Sequence, residues 1–518
     1  MACREHSTFR LMVLWRLAYY GDHHIRSPGD ASRPNRKSRR FAQLCAACRD
    51  RGTNNRNPPA ESFVACVFAD AGGGARTGTG RSIMSRPLRF RPSASRRAFL
   101  AMGAVSLFVP LIRPVHATPI GGVDLSTSTY GNGTLPKRVR SRMIHGVNGL
   151  DVHILEAGYE NPGRPLALLL HGFPDLAYGW RHLIPILADA GYHVVAPDQR
   201  GVGRTTGWLN DYDAPLAPFS LLNMTRDALG LVLALGYRRT AMLVGHDLGS
   251  PVAAYCALAR PDVFPSVVLM SAPFPGPPTL PFNIAESEIS SVQPNTGNQK
   301  LAAALAALDP PRKYYQQYLS TREANHDMWQ PPQGLHAFLR AFFYVKSADW
   351  PGNKPHPLKA PTAAELAQMP TYYVMELGKT MPETVAPFQP SSAEVLAGEW
   401  LTEPELGVYT EEYGRTGFQG ALQAYRVLSD PGLNAELRLF SGKTIDVPSL
   451  FIGGKSDWGT YSAPGALDLM RTKATTRMAG IELIDGAGHW IQQEQPGRLG
   501  ELLLAFAKEA GGADHTRS

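Results

Sequence analysis

Short apolar runs alternate with stretches of helical periodicity from about residue 140 to residue 270. The apolar runs have the length of buried strands and occupy residues 166–170, 193–197, 240–244 and 267–270. The helical stretches between them occupy residues 180–190, 221–235 and 251–259. Strands and helices in strict alternation predict an α/β fold, in which helices cover both faces of a mostly parallel sheet.

A long insertion interrupts this alternation. The pattern stops after Ser271 and resumes at Val447, and the stretch between them is rich in Pro, Tyr and Trp with helical patches. Strand-like and helical runs then return at residues 448–452, 467–472, 481–484 and 499–507. An excursion of this length between two strands usually forms a lid over the carboxyl ends of the strands. We therefore predict a helical lid at 273–446 between two parts of one core, 118–272 and 447–518.

Basic residues are concentrated at the front of the chain. The first 117 residues carry 20 Lys and Arg against 6 Asp and Glu, which leaves 32 bases and 38 acids for the rest. The total charge of +8 therefore does not predict a nucleic-acid partner for the body. Beyond this front segment only Cys256 remains, so the body cannot close an internal disulfide. The pair Cys45 and Cys48 lacks a second pair of ligands, and we predict no metal and no cofactor.

Residues 84–117 resemble a twin-arginine export signal. Arg96 and Arg97 precede an apolar run, and Val115-His-Ala117 has the small-residue spacing of a signal-peptidase site. The apolar run of about 15 residues is too short to cross a bilayer core of about 30 Å. We expect export to the periplasm or the medium, without stable membrane insertion. Residues 1–83 lack any sustained periodicity, which favours a disordered extension or a translation start at Met84 over a basic arm.

A glycine-flanked aspartate follows the predicted strand at 240–244. The sequence Gly245-His-Asp247-Leu-Gly249 has the spacing of a nucleophile elbow, with Asp in place of Ser. The two glycines suit a sharp turn that holds the central residue in a strained conformation. Asp247 is the predicted nucleophile; the alternative is an aspartate that caps the next helix.

The predicted oxyanion hole comes from two backbone N–H groups. His171-Gly-Phe173-Pro ends the strand at 166–170, where this architecture places one donor, which we assign to Phe173. The residue after the nucleophile, Leu248, supplies the second donor. His171 itself is expected to be structural.

Two further polar residues follow the last two predicted strands. Asp457 comes after the first of them and His489 after the second. Asp457 is expected to accept from one nitrogen of His489 and fix its tautomer, which leaves the other nitrogen to act as a base. The alternatives are a solvated loop aspartate and a core histidine. The order nucleophile, acid, histidine is that of an α/β-hydrolase.

Together the motifs resemble the soluble epoxide hydrolase branch of the α/β-hydrolases, over about residues 140–510. The motifs are His171-Gly-Phe-Pro174, Asp198-Gln-Arg-Gly-Val-Gly-Arg204, Gly245-His-Asp-Leu-Gly249, Gly417-Phe-Gln-Gly-Ala-Leu-Gln-Ala-Tyr-Arg426 and Gly486-Ala-Gly-His489. The resemblance implies two lid tyrosines that donate to the epoxide oxygen. They correspond to Tyr315 in Tyr315-Gln-Gln-Tyr318 and to Tyr425 in Leu422-Gln-Ala-Tyr425-Arg426.

The chain departs from the family pattern at several positions. Leu248 stands where the family often has Trp, and Tyr314 and Tyr318 compete with Tyr315 for the first tyrosine role. We further expect the aromatic side chains that follow the strands to bind the substrate: Phe173, Trp458 and Trp490.

The chemistry of these residues predicts an epoxide hydrolase. A carboxylate can displace at a saturated carbon and form an ester with the enzyme, and a phenol can donate to the opening ring. The expected partners are a small apolar epoxide and water. A haloalkane or haloacid dehalogenase with the same Asp-His-Asp triad is the first alternative, and a catalytically silent ligand-binding protein is the second. The physiological epoxide, its enantiomer and the oligomeric state stay open.

Overall fold

The computed structural model describes residues 130–280 and 296–512. Its strands are β1 (Arg140–Val147), β2 (Leu150–Ala157), β3 (Leu166–Leu170), β4 (His193–Pro197), β5 (Met242–His246), β6 (Val267–Met270), β7 (Arg312–Tyr314), β8 (Val374–Glu376), β9 (Ser449–Gly454) and β10 (Met478–Ile484). The export-signal segment and the Cys45/Cys48 pair lie outside the described residues. No helix in the described ranges is long and apolar enough to cross a membrane.

The described α-helices surround these strands. They are α1 (Leu183–Asp189), α2 (Leu221–Ala234), α3 (Gly249–Ala259), α4 (Thr296–Ala306), α5 (Tyr315–Leu319), α6 (Glu323–Trp329), α7 (Leu335–Lys346), α8 (Ala363–Leu366), α9 (Met381–Val385), α10 (Ser392–Ala397), α11 (Glu403–Thr416), α12 (Gln419–Ser429), α13 (Pro431–Ala435), α14 (Ala466–Leu469), α15 (Ile491–Glu494) and α16 (Pro496–Gly512). Short 3-10 helices lie at Ala177–Trp180, Ala217–Phe219, Ala386–Phe388, Glu436–Phe440 and Trp458–Tyr461.

Eight strands form one sheet in the order β1-β2-β4-β3-β5-β6-β9-β10. The first three neighbours in this order pair antiparallel, and the strands from β4 to β10 pair parallel. The prediction of a mostly parallel sheet is confirmed. Because parallel strands end at the same edge, the loops after β3, β5, β9 and β10 lie close together.

The inner strands are buried on both faces, which explains their continuous apolar character. In β3, Leu166, Leu168 and Leu170 belong to one core cluster, and Ala167 and Leu169 belong to another. The first cluster includes residues of α2 and α3, and the second includes residues of α1 and α16. A strand that alternates its side chains between two buried faces needs no polar positions.

The lid is inserted between β6 and β9, which are parallel neighbours in the sheet. Its described part holds helices α4 to α13 and the antiparallel pair β7 and β8. The apolar pattern did not indicate this pair, because each strand has only three residues. The strand predicted at 240–244 is Met242–His246 in the structure, since its pairing with β3 continues through Gly245 into the turn.

A buried arginine joins the core to the lid. Arg181 has no exposed surface. Its guanidinium donates to Oε1 of Glu405 at 2.8 Å, to the carbonyl of Trp400 at 2.9 Å and to Oε1 of Gln493 at 2.7 Å. The planar group therefore holds two acceptors of the lid, Glu405 and Trp400, next to Gln493 of the core.

Candidate active site

Asp247 occupies a strained turn between β5 and α3. Its φ is +51°, in the left-handed region that non-glycine residues rarely adopt. The turn is so tight that a Cβ on Gly245 would lie 2.2 Å from the carbonyl oxygen of Gly249, and a Cβ on Gly249 would lie 2.4 Å from that of Leu170. Glycine is therefore required at both positions, and the turn holds the Asp247 carboxylate at the carboxyl edge of the sheet.

The two oxygens of the Asp247 carboxylate have different surroundings. Oδ1 accepts a 2.9 Å hydrogen bond from the backbone N–H of Phe173. Oδ2 lies 3.6 Å from Nε2 of His489. The N–H of Leu248, the second expected donor, forms no hydrogen bond with any described residue. The structure therefore brings one of the two expected oxyanion donors to the carboxylate.

His489 lies between two carboxylates. Its Nδ1 lies 3.1 Å from Oδ1 of Asp457, which also accepts from the N–H of Gly459 at 2.7 Å. Because Asp457 holds one ring nitrogen, the other, Nε2, faces Asp247. The backbone of His489 is fixed as well: its carbonyl lies 2.8 Å from Nε2 of His246. The three residues of the predicted triad therefore lie together, with an imidazole nitrogen on the side of Asp247.

Both carboxylates are held in the ionised form. Burial raises the pKa of Asp247, but His489 and Lys346 outweigh burial and keep that pKa below its ordinary value. Burial likewise opposes ionisation of Asp457, and its pKa is lowered by His489 and by the N–H of Gly459. An ionised Asp247 has the charge that a nucleophile needs at neutral pH.

Two phenols lie near Asp247, the predicted nucleophile. The rings of Tyr315 and Tyr425 are 6.0 Å apart in an edge-to-face arrangement, and Tyr425 lies 5.4 Å from the ring of Phe173. Burial raises the pKa of both phenols well above the ordinary value, and the charge of Asp247 raises them further. Both groups therefore stay protonated and can donate a hydrogen bond.

The two competing tyrosines bond elsewhere. The hydroxyl of Tyr314 donates to the carbonyl of Ser462 at 3.4 Å, and that of Tyr318 donates to Oδ2 of Asp327 at 3.0 Å. The hydroxyl of Tyr315 only accepts, from the side-chain amide of Gln316 at 3.2 Å, so its proton is free for another acceptor. Among the three, Tyr315 is the available donor.

The predicted substrate-binding aromatic residues lie in different places. Phe173 packs against Tyr425 and Phe342, next to Asp247. The ring of Trp458 is nearly buried beside that of His356, at 5.0 Å. Trp490 has no accessible surface, and its indole N–H donates to the carbonyl of Phe343. Trp490 therefore packs behind His489 instead of facing an open space.

His171 uses both ring nitrogens inside the core. Its Nε2 accepts from the N–H of Gln199 at 3.0 Å, and its Nδ1 lies 2.8 Å from the carbonyl of Gly172. These bonds shape the turn that carries Phe173, which agrees with the structural role expected for this histidine.

The sequence did not indicate Lys346, a buried lysine at the end of α7. Its side chain is 6% exposed, and its carbonyl accepts the backbone N–H of His489 at 2.8 Å. A lysine in the last turn of a helix is an ordinary helix-capping pattern, so nothing in the sequence marked it as part of the site. Within the described ranges, no cluster of three or more His, Cys, Asp or Glu could hold a metal ion.

Comparison with known proteins identifies the family. The sequence profile of the alpha/beta hydrolase fold matches residues 165–496. Epoxide hydrolase A of Mycobacterium tuberculosis (strain ATCC 25618 / H37Rv) is 33% identical over 371 residues, covering 69% of this chain and 94% of the relative. An epoxide hydrolase of Caballeronia sordidicola is 30% identical over 375 residues, covering 70% of this chain and 92% of the relative.

Solved structures give the same result. An epoxide hydrolase from an endophytic Streptomyces superposes with a TM-score of 0.56 at 29% identity, covering 72% of this chain and 96% of that one. Potato epoxide hydrolase I superposes with a TM-score of 0.53 at 27% identity, covering 72% and 99%. With its sheet, its inserted lid and its Asp-His-Asp arrangement, the chain belongs to the epoxide hydrolase branch of the α/β-hydrolase family.

Proposed function

We propose that this protein hydrolyses an epoxide to a vicinal diol through a covalent ester on Asp247. The observation that carries the proposal is that the two oxygens of the Asp247 carboxylate have different neighbours. Oδ1 is held by the N–H of Phe173, while Oδ2 lies on the side of His489. This difference supports a mechanism in which Oδ1 becomes the carbonyl oxygen of the ester and Oδ2 attacks the substrate.

In the first step Oδ2 of Asp247 attacks a ring carbon of the epoxide. The carbon–oxygen bond of the ring breaks, and the released alkoxide takes a proton from the hydroxyl of Tyr315 or Tyr425. Such donors lower the barrier because they meet charge that develops only in the transition state. A halide leaving group needs no proton, so the pair of protonated phenols favours an epoxide over a haloalkane.

In the second step His489 takes a proton from water through Nε2, and the water oxygen bonds to Cγ of Asp247. The negative charge that forms on Oδ1 is stabilised by the N–H of Phe173. The bond between Cγ and the ester oxygen then breaks, and the diol leaves with the proton from His489. Asp247 is left as a carboxylic acid, and its proton returns to the tyrosinate of the first step, so that both groups regain their starting form. Asp457 supports this step because it holds the tautomer that leaves Nε2 unprotonated.

The substrate class follows from the walls of the site. The ring of Phe173, whose N–H binds Asp247, is in contact with the rings of Phe342, Phe418 and Tyr425, and Tyr425 is in contact with Tyr315. An aromatic enclosure of this kind suits a small apolar epoxide.

Trapping of the ester tests the mechanism. His489→Gln is expected to form the ester but not to release diol, because the water of the second step lacks its base. Mass spectrometry of the intact protein after mixing with styrene oxide should show one adduct per chain, which maps to Asp247. Asp457→Asn should slow hydrolysis of the ester by a large factor, because His489 loses its correct tautomer, and should therefore accumulate the same adduct to a lower level than His489→Gln. A folded His489→Gln protein that is not alkylated would contradict the covalent step.

We also propose that the protein is exported through the twin-arginine pathway. Arg96 and Arg97, the apolar run and the small-residue site ending at Ala117 support this proposal. Replacing both arginines with Lys should leave uncleaved protein in the cytoplasm, whereas the wild-type mature form should begin at Thr118. A mature protein that retains Phe99 would contradict it.

A further inference from the structure

Lys346 is a buried cation without a counter-ion in contact. Among the residues that the structure describes, its ammonium forms neither a hydrogen bond nor an ion pair within 4.0 Å. Burial disfavours the charged form of such a group and lowers its pKa. An unpaired charge in this position costs stability, so a role in the chemistry is the natural explanation for it.

The ammonium lies against aromatic faces next to the catalytic groups. Nζ is 5.5 Å from the ring centre of Phe342, 5.2 Å from that of Tyr373 and 5.6 Å from that of Trp490. Trp490 follows His489 in the chain, and Tyr373 stacks edge-to-face on Tyr315 at 5.1 Å. Ring faces attract a cation without neutralising it, so the charge still acts on its surroundings.

The ammonium of Lys346 interacts electrostatically with the two carboxylates of the predicted triad. Asp247 and Asp457 are the two acidic groups that favour the charged form of Lys346, and Lys346 in turn favours ionisation of Asp247. His489 lies between the same two carboxylates. Lysine and imidazole therefore compete to balance one pair of negative charges.

We propose that Lys346 is an electrostatic positioning residue, and this proposal rests on the covalent mechanism. In the ester intermediate the ammonium of Lys346 balances the charge of Asp457. His489 therefore stays unprotonated and can act as the base for water. Once Asp247 is an ester, it carries no charge. Lys346 and Asp457 then cancel, and a proton on His489 would leave a net positive charge in a buried site. Without Lys346, protonated His489 and Asp457 would form the neutral combination, and the base would be lost.

The other titratable groups around His489 do not change this balance near neutral pH. Burial and the neighbouring His489 lower the pKa of His246 to about 4, so His246 is neutral. The phenols of Tyr315, Tyr373 and Tyr425 stay protonated because burial raises their pKa values.

Glu494 is a further acidic group, and its carboxylate lies beside the loop of His489. Its carboxylate accepts from the N–H groups of Gly488, Trp490 and Ala348. Burial nevertheless raises its pKa to about 8, so its ionisation falls on the alkaline side of the profile. The role of Lys346 is therefore tested on the acid side of the pH–rate profile, where His489 becomes protonated and the second step loses its base.

The test compares Lys346→Met and Lys346→Gln with wild type in single-turnover experiments on styrene oxide across pH. Ester formation and ester hydrolysis are followed separately by rapid quench and mass spectrometry. Removal of the cation favours the protonated imidazole, so the acid limb of the hydrolysis step should move up by about one pH unit. Hydrolysis should therefore slow about tenfold on that limb and recover at higher pH, whereas ester formation changes much less. Lys346→Arg should restore the wild-type profile.

A matched control lies on the same helix. Arg340 is also buried on α7, but it donates to Oε1 of Glu403 at 2.7 Å and to the carbonyl of Leu401 at 2.8 Å. Arg340→Met should lower thermal stability and leave the pH profile unchanged. Lys346→Met should do the reverse, with a melting temperature equal to or above that of wild type, because it removes an unpaired buried charge.

Three results would overturn the role of Lys346. One is an unshifted hydrolysis profile in both Lys346→Met and Lys346→Gln. Another is a loss of stability alone, which would make Lys346 structural. The third is a raised KM for epoxides that carry a carboxylate with the profile unchanged, which would make Lys346 a substrate anchor. If wild type and His489→Gln form no ester at all, the covalent mechanism itself fails, and the two failures are thereby distinguished.

Discussion

The backbone N–H of Phe173 donates a 2.9 Å hydrogen bond to Oδ1 of Asp247, and this bond makes the two oxygens of the carboxylate inequivalent. The same N–H would stabilise the charge that forms on Oδ1 when water attacks the ester. The position of Phe173 depends on close packing, since a Cβ on Gly172 would lie 2.3 Å from Cβ of Asp247. The proposed oxyanion donor and the proposed nucleophile are therefore fixed by one contact.

Gly172→Ala should strongly reduce activity, because the added methyl must displace either the Asp247 side chain or the turn that carries the donor. The expected loss in the rate of ester formation is on the order of 10²-fold or more. The control is Gly407→Ala on α11, where an added Cβ meets nothing within 4 Å. That variant should keep full activity and gain up to about 1 kcal/mol of stability. Full activity in a folded Gly172→Ala protein would contradict the tight-contact geometry.

Tyr425→Phe and Tyr315→Phe remove only a hydroxyl from each ring. Each should slow ester formation on an epoxide by about 10²-fold, because removing one donor of this kind commonly costs that much. Melting temperature should change little, since the ring packing remains.

The neighbouring tyrosines provide controls for this pair. Tyr314→Phe and Tyr318→Phe remove hydroxyls that bond to Ser462 and Asp327, so they should affect stability more than the rate of ester formation. If Tyr315→Phe and Tyr425→Phe both keep full activity on epoxides, the phenols have no part in ring opening. Halide release from haloalkanes by such a protein would then favour the dehalogenase alternative.

Arg181→Met should destabilise the attachment of the lid. It leaves the nearly buried carboxylate of Glu405 without its guanidinium, and the loss of one partner of a buried pair commonly costs about 3–5 kcal/mol. Denaturant unfolding followed by fluorescence measures this loss. Arg138→Met is the control, since Arg138 pairs with Asp189 on the surface and should matter little. Equal stability of the two variants would show that Arg181 does not anchor the lid.

The sequence predicted the parts of the fold that depend on local chemistry. The continuous apolar runs predicted strands buried on both faces, and the glycines around Asp247 predicted the tight turn. The hairpin of β1 and β2 was not predicted, because charged residues interrupt its apolar pattern. Glu156 is fully buried in β2, where it pairs with Arg140 and Arg142. A buried glutamate reads as a surface position until its partners are known.

The site was predictable only where the residue type dictated the chemistry. Tyr314, Tyr315 and Tyr318 look alike in the sequence, and only their hydroxyl partners in the structure distinguish them. Lys346 reaches the triad through the packing of α7 on the loop of His489, a long-range contact that no local pattern encodes. Trp490 was expected to bind substrate but packs behind the histidine, since a tryptophan after a strand can face either side.

A single turnover in isotopically labelled water, with enzyme in excess over epoxide, decides most directly whether Asp247 forms a covalent ester. Oxygen from the Asp247 carboxylate should enter the diol, which is therefore unlabelled in the first turnover. The label from water should appear in the peptide that contains Asp247. Label in the diol with an unlabelled Asp247 peptide would mean that water attacks the epoxide directly, and it would contradict the covalent mechanism.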